Sequence, residues 1–229
     1  MPSAVLKAEL ESALGGRFGF PFHLREKPAP RAMSTGIQEV DALAGGLPRG
    51  TITEIFGPAS SGRTTLLNSI LVEATARQEV CALVDTSDTL DPASAAAAGI
   101  DFRQLLWVRC AANKRHALQV TDLLLQAGGF GLVVLDPGDI SPQDARRIPL
   151  SAWFRFRRAI ENTPTGLVVI GQEPYARSSA SLLLEMRKKN ATWRGALFDG
   201  AVLQVAPKKV APRKPARPAT ACFRASAMG

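Results

Sequence analysis

A chain of 229 residues, 46% hydrophobic and 21% charged, is long enough for one domain with a full core plus short appendages, and too short for two ordinary domains. No apolar run approaches the ~20 residues of a membrane-spanning helix, and an N-terminus with Lys7, Glu9 and Glu11 spread through it is no signal peptide, so a cytoplasmic protein without membrane association is expected. The formal charge of +8 and a pI of about 9.9 point to a polyanionic partner, but six of the cations lie between Pro207 and Gly229 with no acid among them; eight less six leaves about +2 for everything else.

Residues 3–14 place Val5, Leu6, Leu10 and Leu14 on one face after a Ser3 cap, with Gly15 and Gly16 as a stop, which predicts a short amphipathic helix. Arg17 to Phe22 then alternates Phe18, Phe20 and Phe22 with other residues, an extended pattern in which Pro21 argues against a central strand. The phenylalanines either pack on their own domain or dock on a partner or a neighbouring copy. Residues 25–33 look like a linker, and Ser34–Leu43 restarts as a capped helix with Ile37, Val40 and Leu43 on one face. Residues 1–32 are therefore expected to be an N-terminal appendage, 33–206 the core, and 207–229 a tail.

Thr51–Phe56 carries alternating β-branched residues, as a strand should, and leads into Gly57-Pro58-Ala59-Ser60-Ser61-Gly62-Arg63-Thr64-Thr65, followed by a helical run from Leu66. Strand, glycine loop and helix in this order match the phosphate-binding pattern G-x-x-x-x-G-K-[ST], in which backbone N–H groups face the phosphate oxygens. Thr64 supplies the hydroxyl for Mg²⁺. Arg63 stands where the pattern has lysine; a planar guanidinium still contacts phosphate but cannot place a compact charge between terminal phosphates, so binding tolerates the change better than catalysis. The alternative is a plain Gly/Ser turn.

Further strands are expected at Glu79–Asp85, Leu105–Val108, Gly131–Asp136, Gly166–Gln172 and Ala201–Val205, the last closing the sheet, with a helix over Ala117–Ala127. Strands alternating with helices imply an α/β fold with a mostly parallel central sheet covered on both faces. Asp136, at the carboxyl end of an apolar strand, is placed as a second Mg²⁺ ligand, or it caps the turn at Pro137 and Gly138. Trp153 to Arg158 interleaves aromatics with Arg155, Arg157 and Arg158 after Arg146 and Arg147: either a phosphate- and base-binding stretch or an amphipathic helix with buried rings and solvated arginines. Cys81, Cys110 and Cys222 show no metal-type spacing, and the first two read as strand core. The tail, with Lys208, Lys209, Arg213 and Lys214, cannot bury a core and is expected to be disordered, either holding DNA non-specifically or simply solubilising.

From Ser34 to about Gln172 the chain resembles the bacterial recombinase RecA and its shorter paralogues. The resemblance rests on STGIQEVDALAGGLPRG (34–50), EIFGPASSGRTTL (54–66), CALVDTSDTLDPASAAAAGID (81–101) and LLWV (105–108), in that order. The size and altered residues look closest to the ImuA-type accessory proteins of mutagenesis cassettes.

The resemblance implies a RecA-like P-loop fold that binds ATP and Mg²⁺. Residues 57–65 would hold the triphosphate, Thr64 and Asp136 the metal, Asp91 would sit near the adenine, and Gln172 would sense the γ-phosphate. Asp91 is also the natural cap of a helix over Pro92–Ala98. The family's catalytic glutamate falls at Ser87, a poor base because its hydroxyl stays protonated near neutral pH; Asp88 is adjacent, and Ser94 replaces the aromatic that stacks on the base. The loop after Gln172, including Arg177, is short. The resemblance therefore implies an accessory or scaffold protein of DNA repair, the SOS response and translesion synthesis, with weak or absent hydrolysis. Its partners would be single-stranded DNA, a recombinase, a mutagenesis DNA polymerase subunit or further copies of itself. The alternative is an active DNA-dependent ATPase or recombinase.

Overall fold

The computed structural model describes residues 32–138, 140, 148–210 and 220–226. An antiparallel pair, β1 (Ala32–Met33) and β2 (Leu47–Pro48), brackets α1 (Gln38–Ala44). Among the described residues an eight-stranded sheet follows, built from β3 (Ile52–Phe56), β4 (Cys81–Asp85), β5 (Leu105–Arg109), β6 (Leu132–Asp136), β7 (Gly166–Gly171), β8 (Ala180–Arg194), β9 (Leu197–Val210) and β10 (Ala221–Ser226). The order across the sheet is β10-β9-β8-β3-β7-β6-β4-β5; the ladders from β8 to β5 are parallel and the two involving β9 are antiparallel. The expected mostly parallel α/β sheet is thus present, with β3 at its centre.

Among the described residues the α-helices are, besides α1, α2 (Arg63–Ala76), α3 (Pro92–Ala98), α4 (Lys114–Ala127) and α5 (Leu150–Ile160). Strand alternation divides the core into two layers. Cys81, Leu83, Leu132, Val134, Val168 and Ile170 point toward α1, α2 and α3, whereas Ala82, Val84, Val133, Leu135, Leu167 and Val169 point toward α4 and α5. Both faces being covered explains why these strands read as unbroken apolar runs. Helix α1 has its own device at the start. Asp41 reaches back to accept from Ser34 Oγ (2.7 Å), Thr35 N (2.9 Å) and Thr35 Oγ1 (2.8 Å), so the seryl cap expected from sequence is replaced by a carboxylate one turn in. Asp91 caps α3, with Pro92 in the first turn, as expected.

Three parts of the sheet differ from expectation. Strand β8 was not anticipated, because Leu182–Leu184 and Met186 give way to the polar stretch Arg187–Arg194 and register shifts interrupt the alternation. Strand β9 runs on to Val210, so Lys208 and Lys209 belong to the sheet and not to a tail: Lys208 pairs with Glu185 at 2.8 Å, and Lys209 Nζ donates to the carbonyls of Ser178 (3.1 Å) and Ala180. Residues 221–226 form the edge strand, so β10 and not Ala201–Val205 closes the sheet. Phe223 is buried to 7% exposure in the core layer under α1. The average composition of the tail concealed one hexapeptide, Ala-Cys-Phe-Arg-Ala-Ser, able to add a single ladder. The helix over residues 3–14, Phe18, Phe20, Arg146, Arg147, Arg213 and Lys214 lie outside the described residues. Among the described residues no helix is long and apolar enough to cross a membrane.

Candidate nucleotide site

The glycine loop leaves the centre of the sheet at Gly57. The Met186 carbonyl of β8 passes so close there that a Cβ would collide with it, and the Gly57 amide donates to the Gly171 carbonyl at 3.1 Å. Ser61 N donates to Pro58 O (3.2 Å), Ser60 takes φ 57° and Gly62 φ 92°, and α2 begins at Arg63. Left-handed residues alternating with right-handed ones turn successive N–H groups to one side, and the first N–H groups of α2 have no intrahelical acceptor. The first turn of α2 carries no acid. The Ser61 hydroxyl is buried with no hydrogen-bond partner among the described residues. The buried Ser61 hydroxyl and the N-terminus of α2 together suit an anion at this loop.

Two carboxylates stand side by side beyond this loop, Asp85 at the end of β4 and Asp136 at the end of β6, in register. They differ in what surrounds them. Asp85 is fully occupied: it accepts from Ser87 N (3.2 Å), Thr89 N (3.1 Å), Leu90 N (3.0 Å) and Trp107 Nε1 (3.3 Å), so its task is to shape the turn after β4. Asp136 accepts from Gly138 N (2.9 Å) and Thr89 Oγ1 (3.2 Å). Burial pushes its carboxyl above the usual range; the Gly138 amide opposes this, the Asp85 charge adds to it, and the Arg63 guanidinium also opposes it. Asp136 therefore caps its turn, as one reading had it, and a cation beside it would favour its charged form. With the exposed Thr64 hydroxyl it offers the hard oxygen donors that Mg²⁺ takes beside phosphate, so the residues fit that metal.

Ser87 is exposed and lies against Gly138, its hydroxyl occupying the space that a Cβ on that glycine would need. Asp88 turns the other way, with φ 59°, and pairs with Arg109 on the edge strand β5. No carboxylate from the turn after β4 is aimed at the phosphate loop.

A cleft of about 860 Å³ opens on the β8 side of the loop. Its walls are Ser60–Thr65, the outer face of α2, Ala98 of α3, the β8–β9 ribbon and the end of β10. Leu203 of β9 packs on Gly62 so tightly that any side chain there would displace it.

A family model for the RecA N-terminal domain matches residues 22–144. The chain belongs to the RecA family. It is 31% identical over 181 residues to Protein RecA of Deinococcus radiodurans, covering 72% of this chain and 50% of that protein. It is 35% identical over 135 residues to Protein RecA of Rickettsia canadensis, covering 58% and 39%. The chain thus spans half or less of the length of these curated relatives. Among solved structures it is similar to the RadB recombinase, with a TM-score of 0.65 over 84% of this chain and 95% of that one; at 18% identity the likeness concerns the fold.

In this RecA-family chain the sequence-selected residues do not all converge. The loop from Gly57 to Thr65, including Pro58 and Ser60, lies with Asp136 at the carboxyl ends of the central strands, and Gln172 joins them one residue after the Gly171 carbonyl that holds Gly57. Asp91 is turned into its helix, accepting from Ser94 N (3.0 Å) and from the Ser94 hydroxyl; these bonds hold its carboxyl below the usual range. Neither Asp91 nor Ser94 lines the cleft, whose α3 wall is Ala98. Helix α5 lies on the opposite face of the sheet from α2. Trp153 and Phe156 are buried and meet edge to face at 5.7 Å, while Arg155 pairs with Asp122 of α4 and Arg157 and Arg158 are exposed. That is the amphipathic-helix alternative. Arg177 is exposed at the turn before β8.

Sequence reasoning missed the anchor of that turn. Glu54, buried in the centre of β3, accepts from Tyr175 N (2.6 Å) and Ala176 N (2.7 Å), and the Tyr175 hydroxyl accepts from Gln172 N (3.3 Å). Burial pushes the Glu54 carboxyl up; the amides of Ala176, Tyr175 and Arg177 and the charge of Lys209 oppose this. An acid inside an apolar strand, three residues before the loop, was the available signal. It also missed Lys188, Trp193 and Phe198, which line the cleft from the ribbon.

Proposed function

We propose that this chain binds ATP with Mg²⁺ at the loop from Gly57 to Thr65 and acts in DNA repair and damage-induced mutagenesis as an accessory protein, in the manner of ImuA-type paralogues, with weak or absent hydrolysis. Family membership, the turn of the glycine loop into α2 and the buried Ser61 hydroxyl without a partner among the described residues support nucleotide binding. Thr64 and Asp136 would hold the metal, which when bound would neutralise phosphate charge. Gln172, one residue beyond the strand that holds Gly57, would meet the terminal phosphate. Single-stranded DNA, a recombinase, a DNA polymerase subunit and further copies of the chain are the partners this role implies.

The observation that carries the loss of hydrolysis is the turn after β4. Activating water for attack on a phosphate needs a base directed at the loop; here Ser87 holds that place and Asp88 is committed to Arg109. Arg63 in place of lysine acts in the same direction. The test is calorimetric titration of the full chain with ATP and Mg²⁺, with phosphate release assayed in the same samples, with and without single-stranded DNA. Binding without release is expected. Release that rises with single-stranded DNA would establish the competing reading, an active DNA-dependent ATPase, and the absence of binding would refute nucleotide recognition.

A further inference from the structure

The β8–β9 ribbon projects beyond the body of the sheet and ends in aromatic rings that nothing in the core explains. Trp193 is 62% exposed and Phe198 45% exposed, yet they pair edge to face at 5.5 Å. The tip that carries them is formed and braced. Arg194 pairs with Asp199 at 2.7 Å, and Thr192 Oγ1 donates to Gly200 O at 3.0 Å.

Register puts both rings on the cleft face. In a regular ladder Phe198 and Leu203 would lie on opposite faces, since five residues separate them. The ladder is not regular: Thr192 pairs with Gly200 and Trp193 with Phe198, so Asp199 is an extra residue, and a second shift between Lys188 and Asn190 does the same on β8. Each bulge flips the alternation once. As a result Lys188, Ala191, Trp193, Phe198, Ala201 and Leu203 all face the cleft whose other wall is the phosphate loop. From Leu203, which packs on Gly62, to Phe198 is four ladder steps, because Asp199 bulges out, roughly 13 Å at about 3.3–3.4 Å per step. A nucleoside triphosphate with its phosphates on the loop reaches about that far with its base.

We propose that Trp193, with Phe198 behind it, is the stacking surface for the base of the bound nucleoside triphosphate. The proposal rests on the loop being the phosphate site. The other walls supply no ring: α3 lines the cleft with Ala98, and the exposed serine at position 94 is bonded back to Asp91. Aromatic faces hold bases with little regard to which base is present.

The experiment titrates the full chain and its Trp193→Ala, Phe198→Ala and Trp193→Phe variants with ATP·Mg²⁺ and with inorganic tripolyphosphate, by calorimetry and tryptophan fluorescence. Both rings are exposed, so the variants should fold as the parent does. The expected result is that Trp193→Ala weakens ATP binding about tenfold or more and leaves tripolyphosphate binding within about twofold. Trp193→Phe should recover most of the affinity but lose the fluorescence response to ATP, because Trp153 is buried and Trp107 is tied to Asp85. Unchanged ATP affinity in Trp193→Ala would overturn the assignment, as would an equal loss for both ligands, which would mean the ribbon only shapes the loop. Loss of oligo(dT) binding with ATP binding intact would assign the rings to nucleic acid instead. A parent chain that binds tripolyphosphate as tightly as ATP has a phosphate site without a base site, whereas one that binds neither loses the phosphate site and this inference together.

Discussion

Glu54 offers the sharpest test of how the centre of the sheet controls the site. Replacing it with alanine leaves the amides of Tyr175 and Ala176 buried without acceptors; each orphaned donor costs about 1–3 kcal/mol, so the loss is about 2–6 kcal/mol. At roughly 2–4 °C per kcal/mol for a domain of this size, the middle of that range lowers Tm by about 8–16 °C. Glu54→Gln separates the charge from the acceptor, because the amide oxygen still serves both N–H groups. The sign follows from the direction of the shift. A carboxyl whose pKa is raised on folding contributes stability that is present below the ordinary glutamate range and is lost as pH rises through the raised value. The parent should therefore weaken relative to Glu54→Gln as pH goes from 5 to 8, measured as the difference in urea midpoints between the two proteins at pH 5, 6.5 and 8. Taking the difference removes the matching effect of Asp136 and the opposite ones of Asp91, Asp101 and Glu185. A difference that stays flat, or that moves the other way, refutes the upward shift of the Glu54 carboxyl. A Glu54→Ala protein of unchanged Tm refutes the clamp.

Other consequences are as specific. Ser87→Glu combined with Arg63→Lys should convert binding without turnover into measurable phosphate release, read by a phosphate assay at saturating ATP; no gain in the folded double variant would place the deficiency elsewhere. Phe223→Ala should cost about 3 kcal/mol, the low end for a buried phenylalanine because an edge strand can relax, and urea unfolding would show it; a cost below about 1 kcal/mol would mean that β10 is not part of the folded sheet. A thiol reagent at pH 8 should modify Cys222 quickly and spare Cys81, whose thiol burial pushes up to about 12, and Cys110, which burial and Asp85 also raise.

What could be read from residues was what depends on short stretches. Apolar runs ending in Asp85, Asp136 and Gln172, and the glycine spacing from Gly57 to Gly62, depend on neighbours in the chain, and they located the central strands and the loop. The antiparallel end of the sheet was not legible because it depends on partners far away in sequence. The polar half of β8 is a strand only because β9 folds back on it, and β10 only because the exposed edge of β9 awaits a ladder. The same holds at the site. Asp91 and Asp88 were chosen for position in a motif, but a cap at Ser94 and an ion pair with Arg109 decide where those carboxylates point.

The position of β3 gives the site its division of labour. Its neighbour β7, which leads into Gln172, stands between it and β6, so the metal-type acid Asp136 approaches the loop from one side. Its other neighbour is β8, whose ribbon with β9 forms the far wall of the cleft. Glu54 sits between them, on β3 itself, and holds the turn that joins β7 to β8. A ligand drawn to the loop would touch both sides through one strand. The altered groups, Arg63 and Ser87, lie at the loop end of the site, whereas the far wall of the cleft keeps a formed ribbon with two exposed rings. Loss of a base lowers the rate of bond cleavage without removing donors that hold the ground state, so such a chain can keep ATP as a ligand after it has ceased to be a substrate. Bound ligand then stabilises the fold by mass action, about 2.7 kcal/mol at a hundredfold excess over Kd, and thermal melting with and without ATP·Mg²⁺ would measure it.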